Sequence, residues 1–108
     1  MRVLPGASFI QVTGLNTPLT VVGIVGELNS STAPLLAKGI ATALGTSPQD
    51  LIVDLSETSF FGSAGVGVIL SVRKYLREDA RVILRKPQPF IRKMLDASRL
   101  DTVCVVED

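Results

Sequence analysis

The residue best placed for chemistry is Ser63, which lies in the Gly-Ser-Ala-Gly segment 62–65. Upstream, the apolar run 51–53 is too short for a helix and is flanked by two aspartates, which predicts a strand buried on both faces. After a polar turn at 56–59 and two phenylalanines, the apolar residues take up a helical period. Ser63 therefore falls at or beside the helix N-cap, where free N–H groups and the positive end of the helix dipole would accommodate a phosphate on its hydroxyl.

Composition removes several classes of enzyme. The chain has no histidine and a single cysteine, Cys104, which excludes Ser-His-Asp and Cys-His nucleophilic sites, histidine zinc sites and an internal disulfide. Asp54 and Glu57 are the only close carboxylates near the turn, and we interpret them as the end of a buried strand and a solvated turn residue rather than as an acid–base pair. The net charge of +1 provides no basic field for nucleic acid. Acid–base chemistry by lysine or by paired carboxylates stays open.

A glycine pattern near Ser63 leaves one rival hypothesis open. Gly62, Gly65 and Gly67 at a strand-to-helix turn could form a phosphate-binding loop, which would make this a small nucleotide-binding protein. The spacing is reversed from that of the dinucleotide-binding motif, and there is no Walker lysine. Close packing of helix on sheet explains the glycines better.

The elements that must position Ser63 begin with a hairpin. Two β-rich runs, Ser8 to Gly14 and Leu19 to Ile24, flank a turn at 15–18, and residues 26–29 close the second strand. Ser30, Ser31 and Thr32 are N-cap candidates for a first helix, with Pro34 tolerated in its first turn. Its apolar stripe is expected to pack on the sheet and comprises Leu35, Leu36, Ile40, Ala43 and Leu44. The Gly-Thr-Ser-Pro segment 45–48 ends the helix.

Strands and helices alternate in the rest of the chain. We predict a strand from Arg81 to Arg85, a third helix from Pro87 to Ala97 and a last strand from Thr102 to Val106 that contains Cys104. This order predicts one α/β domain over residues 1–108, with a mixed sheet begun by a β-hairpin and helices packed against it. No signal peptide or apolar run of membrane-spanning length is evident, so we expect a cytoplasmic protein.

The second helix, which follows Ser63, has two distinct sides. The side expected to cover the sheet carries Ala64, Val68, Ile69, Val72, Tyr75 and Leu76. Val66 and Leu70 lie on the opposite side, near Arg73 and Lys74 and close in azimuth to Ser63. Apolar side chains framed by cations and a modifiable hydroxyl are typical of a modest protein-binding face. The alternative is that a neighbouring helix covers Val66 and Leu70, or that both are isolated surface residues.

Three segments together resemble the STAS domain family. Residues 60–70, F-F-G-S-A-G-V-G-V-I-L, resemble the F-x-D-S-S-G-L-G-V-L pattern of bacterial anti-sigma factor antagonists, whose serine before the helix is phosphorylated by an anti-sigma serine kinase. Residues 26–29 are similar to the G-E-L-D of the family, and residues 94–100 to its L-x-x-S-G-L. The resemblance implies the STAS fold and a regulator that captures an anti-sigma factor, frees a sigma factor and dissociates when phosphorylated at Ser63. It also implies that the chain is a substrate of a kinase and not itself an enzyme, and that it has no cofactor.

The sequence departs from the family at four positions. Gly62 replaces the usual aspartate, Ala64 a common second serine, Asn29 a common acid and Arg99 a common glycine. The expected partner-binding residues are Asn29, Gly62, Ser63, Ala64, Val66, Leu70, Arg73 and Lys74. Two alternatives stay open: Ser63 as a plain N-cap that is never phosphorylated, and a STAS-like interaction module in a stress-sensing assembly. We expect no nucleic-acid or membrane partner, and either a monomer or a weak dimer.

Overall fold

The computed structural model describes residues 9–13, 19–44, 50–77 and 79–108. The strands are β1 (Phe9–Thr13), β2 (Leu19–Leu28), β3 (Asp50–Asp54), β4 (Thr58–Phe61), β5 (Arg81–Arg85) and β6 (Val105–Glu107). The helices are α1 (Ala33–Leu44), α2 (Ser63–Tyr75) and α3 (Pro89–Ala97), followed by a short 3-10 helix (Leu100–Thr102). None of the helices in these ranges is long and apolar enough to cross a bilayer.

The strands form a mixed sheet in the order β1-β2-β3-β5-β6, with β4 paired to the end of β2. Strands β1 and β2 are antiparallel, with Ile10 opposite Ile24, and every other pairing is parallel. The predicted α/β fold, with a sheet begun by antiparallel strands, is confirmed. The predicted turn at 15–18 and the helix stop at 45–48 lie outside the described residues.

The three helices share one side of the sheet. The steps from β2 to β3, β3 to β5 and β5 to β6 all move in the same direction, so right-handed connections place α1, α2 and α3 together. Alternate sheet residues pack beneath them in a core cluster that includes Val22, Ile24, Leu51, Val53, Val82 and Leu84. Ile52 has the opposite strand parity and is also buried, as predicted for a strand buried on both faces.

Strand β4 was not predicted, because residues 56–59 were expected to form a polar turn. The turn is shorter, and a strand begins at Thr58 because the backbone from there pairs with the end of β2. The buried Thr58 hydroxyl also donates to the Ile24 carbonyl oxygen at 2.8 Å. The register of β2 against β4 shifts between Gly26 and Glu27. Gly26 has φ 93, which glycine adopts without strain, so β2 bends here and continues to Leu28.

Two boundaries near the C-terminus also differ from prediction. Helix α3 begins at Pro89 rather than Pro87, and Pro89 at N1 loses nothing by lacking an N–H group. The last strand starts at Val105 rather than Thr102, because the preceding residues form the 3-10 helix. Cys104 therefore precedes the strand. Its thiol is buried, and this desolvation raises its pKa to about 11.

The apolar stripes were predicted too broadly. Leu35 in α1 is 44% exposed and Tyr75 in α2 is 82% exposed. In α1 the sheet-facing row runs through Leu36 and Ile40, one turn apart, and Leu35 lies about 100° around the helix from Leu36. The side chain of Ala43, also expected in that stripe, lies outside the described residues.

Candidate functional site

Three helices begin at the same edge of the sheet. Strands β2 and β5 lead directly into α1 and α3 at their carboxyl ends, and β3 leads into α2 through β4. None of these helices has an acidic residue in its first turn. Each helix N-terminus carries a partial positive charge, so the first turn of each helix favours an anionic group over a cationic one.

Ser63 lies at this edge as the first residue of α2, and it is exposed. Gly62 is the N-cap, so Ser63 is beside the cap as predicted rather than in it. The Gly62 carbonyl oxygen accepts from the N–H groups of Gly65 and Val66, at 3.0 and 3.2 Å. Within the described residues, the Ser63 hydroxyl and the N–H groups of Ser63 and Ala64 have no hydrogen-bond partner. A phosphate on Ser63 would find both N–H groups beside it.

The first turn of α2 packs closely against the end of β2. The Gly62 N–H group donates to the Leu28 carbonyl oxygen at 2.9 Å. A Cβ added at Gly65 would lie 2.5 Å from Leu28 Cδ2 and 3.2 Å from Phe61 Cζ, and both of those side chains are buried. Only glycine lets the first turn of α2 approach the sheet this closely, which explains the family glycine at position 65.

Phe60 is a rim residue that sequence reasoning did not single out. Its side chain is 47% exposed, and its ring lies over Gly62, where an added Cβ would be 3.0 Å from Phe60 Cε1. Two consecutive phenylalanines in one strand face opposite ways, and the buried one is Phe61. This alternation is the sequence signal that could have identified one of the two phenylalanines as exposed. The ring occupies space that a side chain at position 62 would need.

Asn29 orders the neighbouring turn between β2 and α1. Its Oδ1 accepts from the N–H groups of Ser31 and Thr32, at 2.9 and 3.1 Å. Thr32 Oγ1 accepts from the Asn29 N–H group at 2.9 Å and donates to the Glu27 carbonyl oxygen at 2.8 Å. Of the predicted N-cap candidates, Thr32 is the residue that directly precedes the helix. Asn29 thus lies at the same edge of the sheet as Ser63, and its side chain stabilises the turn between β2 and α1.

The far flank of α2 is only partly as predicted. Leu70 is 39% exposed, whereas Val66 is half-buried and packs against the core cluster. The Arg73 guanidinium donates to the carbonyl oxygens of Ala80 and Arg77, at 2.6 and 2.7 Å. Lys74 is exposed. Both cations lie about 15 Å along the helix from Ser63 at 1.5 Å per residue, so the structure does not bring them to that hydroxyl.

The STAS domain family model matches residues 10–107. This chain is a STAS domain. No curated protein sequence is a significant match. Among solved structures, an anti-sigma factor antagonist from Mycobacterium paratuberculosis has a TM-score of 0.86 at 25% identity, covering 96% of this chain and 88% of that one.

Two structures of the antagonist SpoIIAA are also similar to this STAS domain. The unphosphorylated form has a TM-score of 0.76 at 26% identity and covers 90% of this chain and 86% of that one. The phosphorylated form of the Bacillus protein has a TM-score of 0.68 at 26% identity, covering 90% and 89%. This likeness places the chain among non-enzymatic regulators of the anti-sigma factor antagonist type.

One departure from the family pattern has a visible conformational cost. Arg99 stands where the family commonly has glycine, and its φ of 62 is in the left-handed region. Glycine adopts this conformation freely, whereas arginine adopts it at some cost. The backbone turns as the family glycine would allow, so the fold is kept despite the substitution.

The carboxylates near the turn do not form an acid–base pair. Burial alone would raise the pKa of Asp54, but hydrogen bonds from Ser56 and Arg85 outweigh it, and the pKa lies below its ordinary value. Arg85 Nη2 donates to Asp54 Oδ2 at 3.1 Å. A general base acting near neutral pH needs a raised pKa, so Asp54 is suited to an ion pair instead. In the described ranges, no cluster of three or more metal-ligating side chains occurs.

Proposed function

We propose that this STAS domain binds an anti-sigma factor and thereby releases a sigma factor, and that phosphorylation of Ser63 ends the complex. The observation that carries the proposal is the exposed Ser63 beside two unpaired N–H groups, at an edge where three helices begin without an acidic residue. The likeness to antagonists supports the anti-sigma factor as the partner. The proposal places the protein in the cytoplasm with the transcription machinery.

When Ser63 is not phosphorylated, the surface around it combines apolar, small and polar residues that a partner could contact. Phe60 and Leu70 are large exposed apolar residues near one end of α2 and along its flank. Gly62 and Ala64, on either side of Ser63, add little bulk. Small and apolar residues around one hydroxyl allow close contact with little desolvation of charge, which suits a modest protein interface. Asn29 contributes a polar group at the rim.

A phosphate would change this surface without disturbing the fold. It adds about −1.5 to −2 charges and three acceptor oxygens. The N–H groups of Ser63 and Ala64 stabilise that charge in the free protein. In the complex, the same charge would face the partner beside the Phe60 ring and would lose water without gaining a matched cation. Phosphorylation therefore weakens the complex more than it weakens the fold.

The anti-sigma factor itself would be the kinase. The Ser63 oxygen attacks the γ-phosphorus of ATP, the bond to ADP breaks, and the hydroxyl proton passes to a base of the kinase. This chain supplies only the acceptor hydroxyl. The STAS domain is then a substrate of an enzyme and does no chemistry of its own.

The test is intact-mass analysis after incubation with MgATP and candidate anti-sigma serine kinases. Wild type should gain one phosphate, and Ser63→Ala should gain none. Ser71→Ala is the matched control, because Ser71 is an exposed serine on the same helix, and this variant should be phosphorylated like wild type. If a kinase that binds the domain adds no phosphate, or modifies Ser63→Ala equally, phosphorylation at Ser63 is not the switch.

A further inference from the structure

An apolar groove separates α1 from α2 on the surface of the molecule. It has a volume of about 620 Å³ and is lined mainly by apolar atoms. Small residues form its walls, including Ala37, Ala41, Gly67 and Ser71, and Ile40 and Val72 close it towards the core. A Cβ added at Gly67 would meet no heavy atom within 4 Å, so the groove is open there.

The groove is distinct from the flank of α2 that carries Val66 and Leu70. Its α2 wall runs from Ala64 to Tyr75, and neither Val66 nor Leu70 lines it. At 1.5 Å per residue this wall is about 16 Å long, or about three helical turns. Its N-terminal end adjoins Ser63. The length and the concave apolar floor match a short amphipathic helix lying between two helices.

Charge on the rims indicates which helix would fit. Lys38 lies on the α1 rim, one turn from Ala41, and Lys74 lies on the α2 rim, one turn from Ser71. Both lysines are exposed. Neither α1 nor α2 contains an aspartate or a glutamate. A helix in the groove would thus meet apolar contacts below and a cation on each side.

We propose that the groove between α1 and α2 is a docking site for an acidic amphipathic helix of a partner protein, about three turns long. The occupant places small or branched apolar side chains against the floor and glutamate or aspartate opposite Lys38 and Lys74. This surface goes beyond the proposed Ser63 switch and does not depend on it. Complementary rim charge sets the orientation and the preference against basic helices.

The probe is a synthetic peptide of about 14 residues, with leucine and alanine on one helical face and glutamate on both flanks. Titration into the isotope-labelled full chain, followed by NMR, should give saturable amide shifts at Ala37, Gly67 and Ser71. A matched peptide with lysine in place of every glutamate should bind at least about tenfold more weakly. The double variant Lys38→Glu with Lys74→Glu should reverse this preference.

Two variants separate the groove from the rest of α2. Gly67→Phe fills the open space and should abolish the shifts, whereas Leu70→Asp on the opposite flank should leave the peptide affinity unchanged. Thermal melts establish that each variant is folded. The proposal is wrong if the glutamate peptide gives no saturable shift, or if the double charge reversal leaves its affinity unchanged. It is also wrong if phosphatidylglycerol vesicles, and not the peptide, shift these amides, because the groove is then a membrane-facing surface.

Discussion

The two ends of α2 are built in opposite ways. At the N-terminal end, the Gly62 cap has no side-chain hydrogen bond, and the N–H groups of Ser63 and Ala64 are left without protein partners in the described residues. At the C-terminal end, Arg73 donates to two backbone carbonyl oxygens, and the Leu76 N–H group donates to the Val72 carbonyl oxygen. We call the N-terminal end of α2 the open end, because two of its backbone N–H groups have no protein partner in the described residues. The C-terminal end is held by hydrogen bonds.

The difference shows how a small domain can keep a binding site without losing its fold. Unpaired N–H groups lower the stability of the fold little where water can bind them. The exposed end of α2 can therefore keep these groups available for a partner or a phosphate. The core beneath α2 and the contacts of Arg73 hold the helix in place. Substitutions at the two ends should therefore separate binding from stability.

The largest effect is expected where the open end meets the core. Gly65→Val should lower the free energy of unfolding by about 3 kcal/mol, because its side chain would overlap Leu28, which is buried and cannot move aside. Urea unfolding measures the loss. Gly67→Ala is the control on the same helix and should be neutral or stabilising, since its Cβ meets open space. Equal losses for both variants would contradict the close approach at Gly65.

Ser63→Glu should weaken binding to an anti-sigma factor by about 100-fold, which corresponds to about 2.7 kcal/mol. The charge faces the partner, but in the free protein it lies in the first turn of a helix, where an acid is favourable. The melting temperature should therefore stay the same or rise slightly. Thr102→Glu, at an exposed position of the 3-10 helix outside both proposed binding surfaces, is the control for added charge. A fall in melting temperature with unchanged binding would reverse the assignment of the two ends.

Arg73→Ala should do the opposite. Loss of the hydrogen bonds to Ala80 and Arg77 should cost about 1 to 2 kcal/mol of unfolding free energy, because both bonds are charge-assisted and the one to Ala80 is part-buried. Binding to the anti-sigma factor should not change. Lys74→Ala, a neighbouring exposed cation, should leave stability within about 0.5 kcal/mol of wild type. A binding defect in Arg73→Ala with normal stability would instead support the predicted place of Arg73 in the partner-binding face.

The smallest effect is expected at the rim of the open end. Phe60→Ala should weaken partner binding by about tenfold, as loss of a large exposed aromatic contact would. Its stability should change little because the ring is half exposed and only covers Gly62. Val105→Ala is the control, since Val105 is 45% exposed at the start of β6, the strand that lies furthest from β2 in the sheet order. Wild-type affinity in Phe60→Ala would exclude the ring from the interface.

Much of this architecture could be predicted because it follows from local periodicity. The strand Arg81 to Arg85 and the burial of residues 51–53 were predicted correctly from apolar runs of strand length. Ser63 was placed at the helix start from the change of period. The three-part resemblance then identified the family that the residue 10–107 match confirms.

Features that depend on contacts distant in the sequence were missed. Strand β4 exists because it pairs with β2, and Thr58 also donates to Ile24, 34 residues earlier. No local pattern encodes these contacts. Tyr75 was placed in the sheet-facing stripe because helical azimuth alone does not show where the sheet ends. The groove between α1 and α2 needs the relative placement of two helices. Arg99 was flagged as a departure from glycine, yet only the backbone shows that its conformation is kept.

The burial of Cys104 has a practical consequence for tests of this kind. It is the sole cysteine of the chain, and with a pKa near 11 it holds almost no thiolate at neutral pH. Maleimide and disulfide reagents react with thiolate, so the folded protein is nearly inert towards them. A cysteine introduced at an exposed position would be labelled alone, and fluorophores or spin labels could be attached without first removing the native residue.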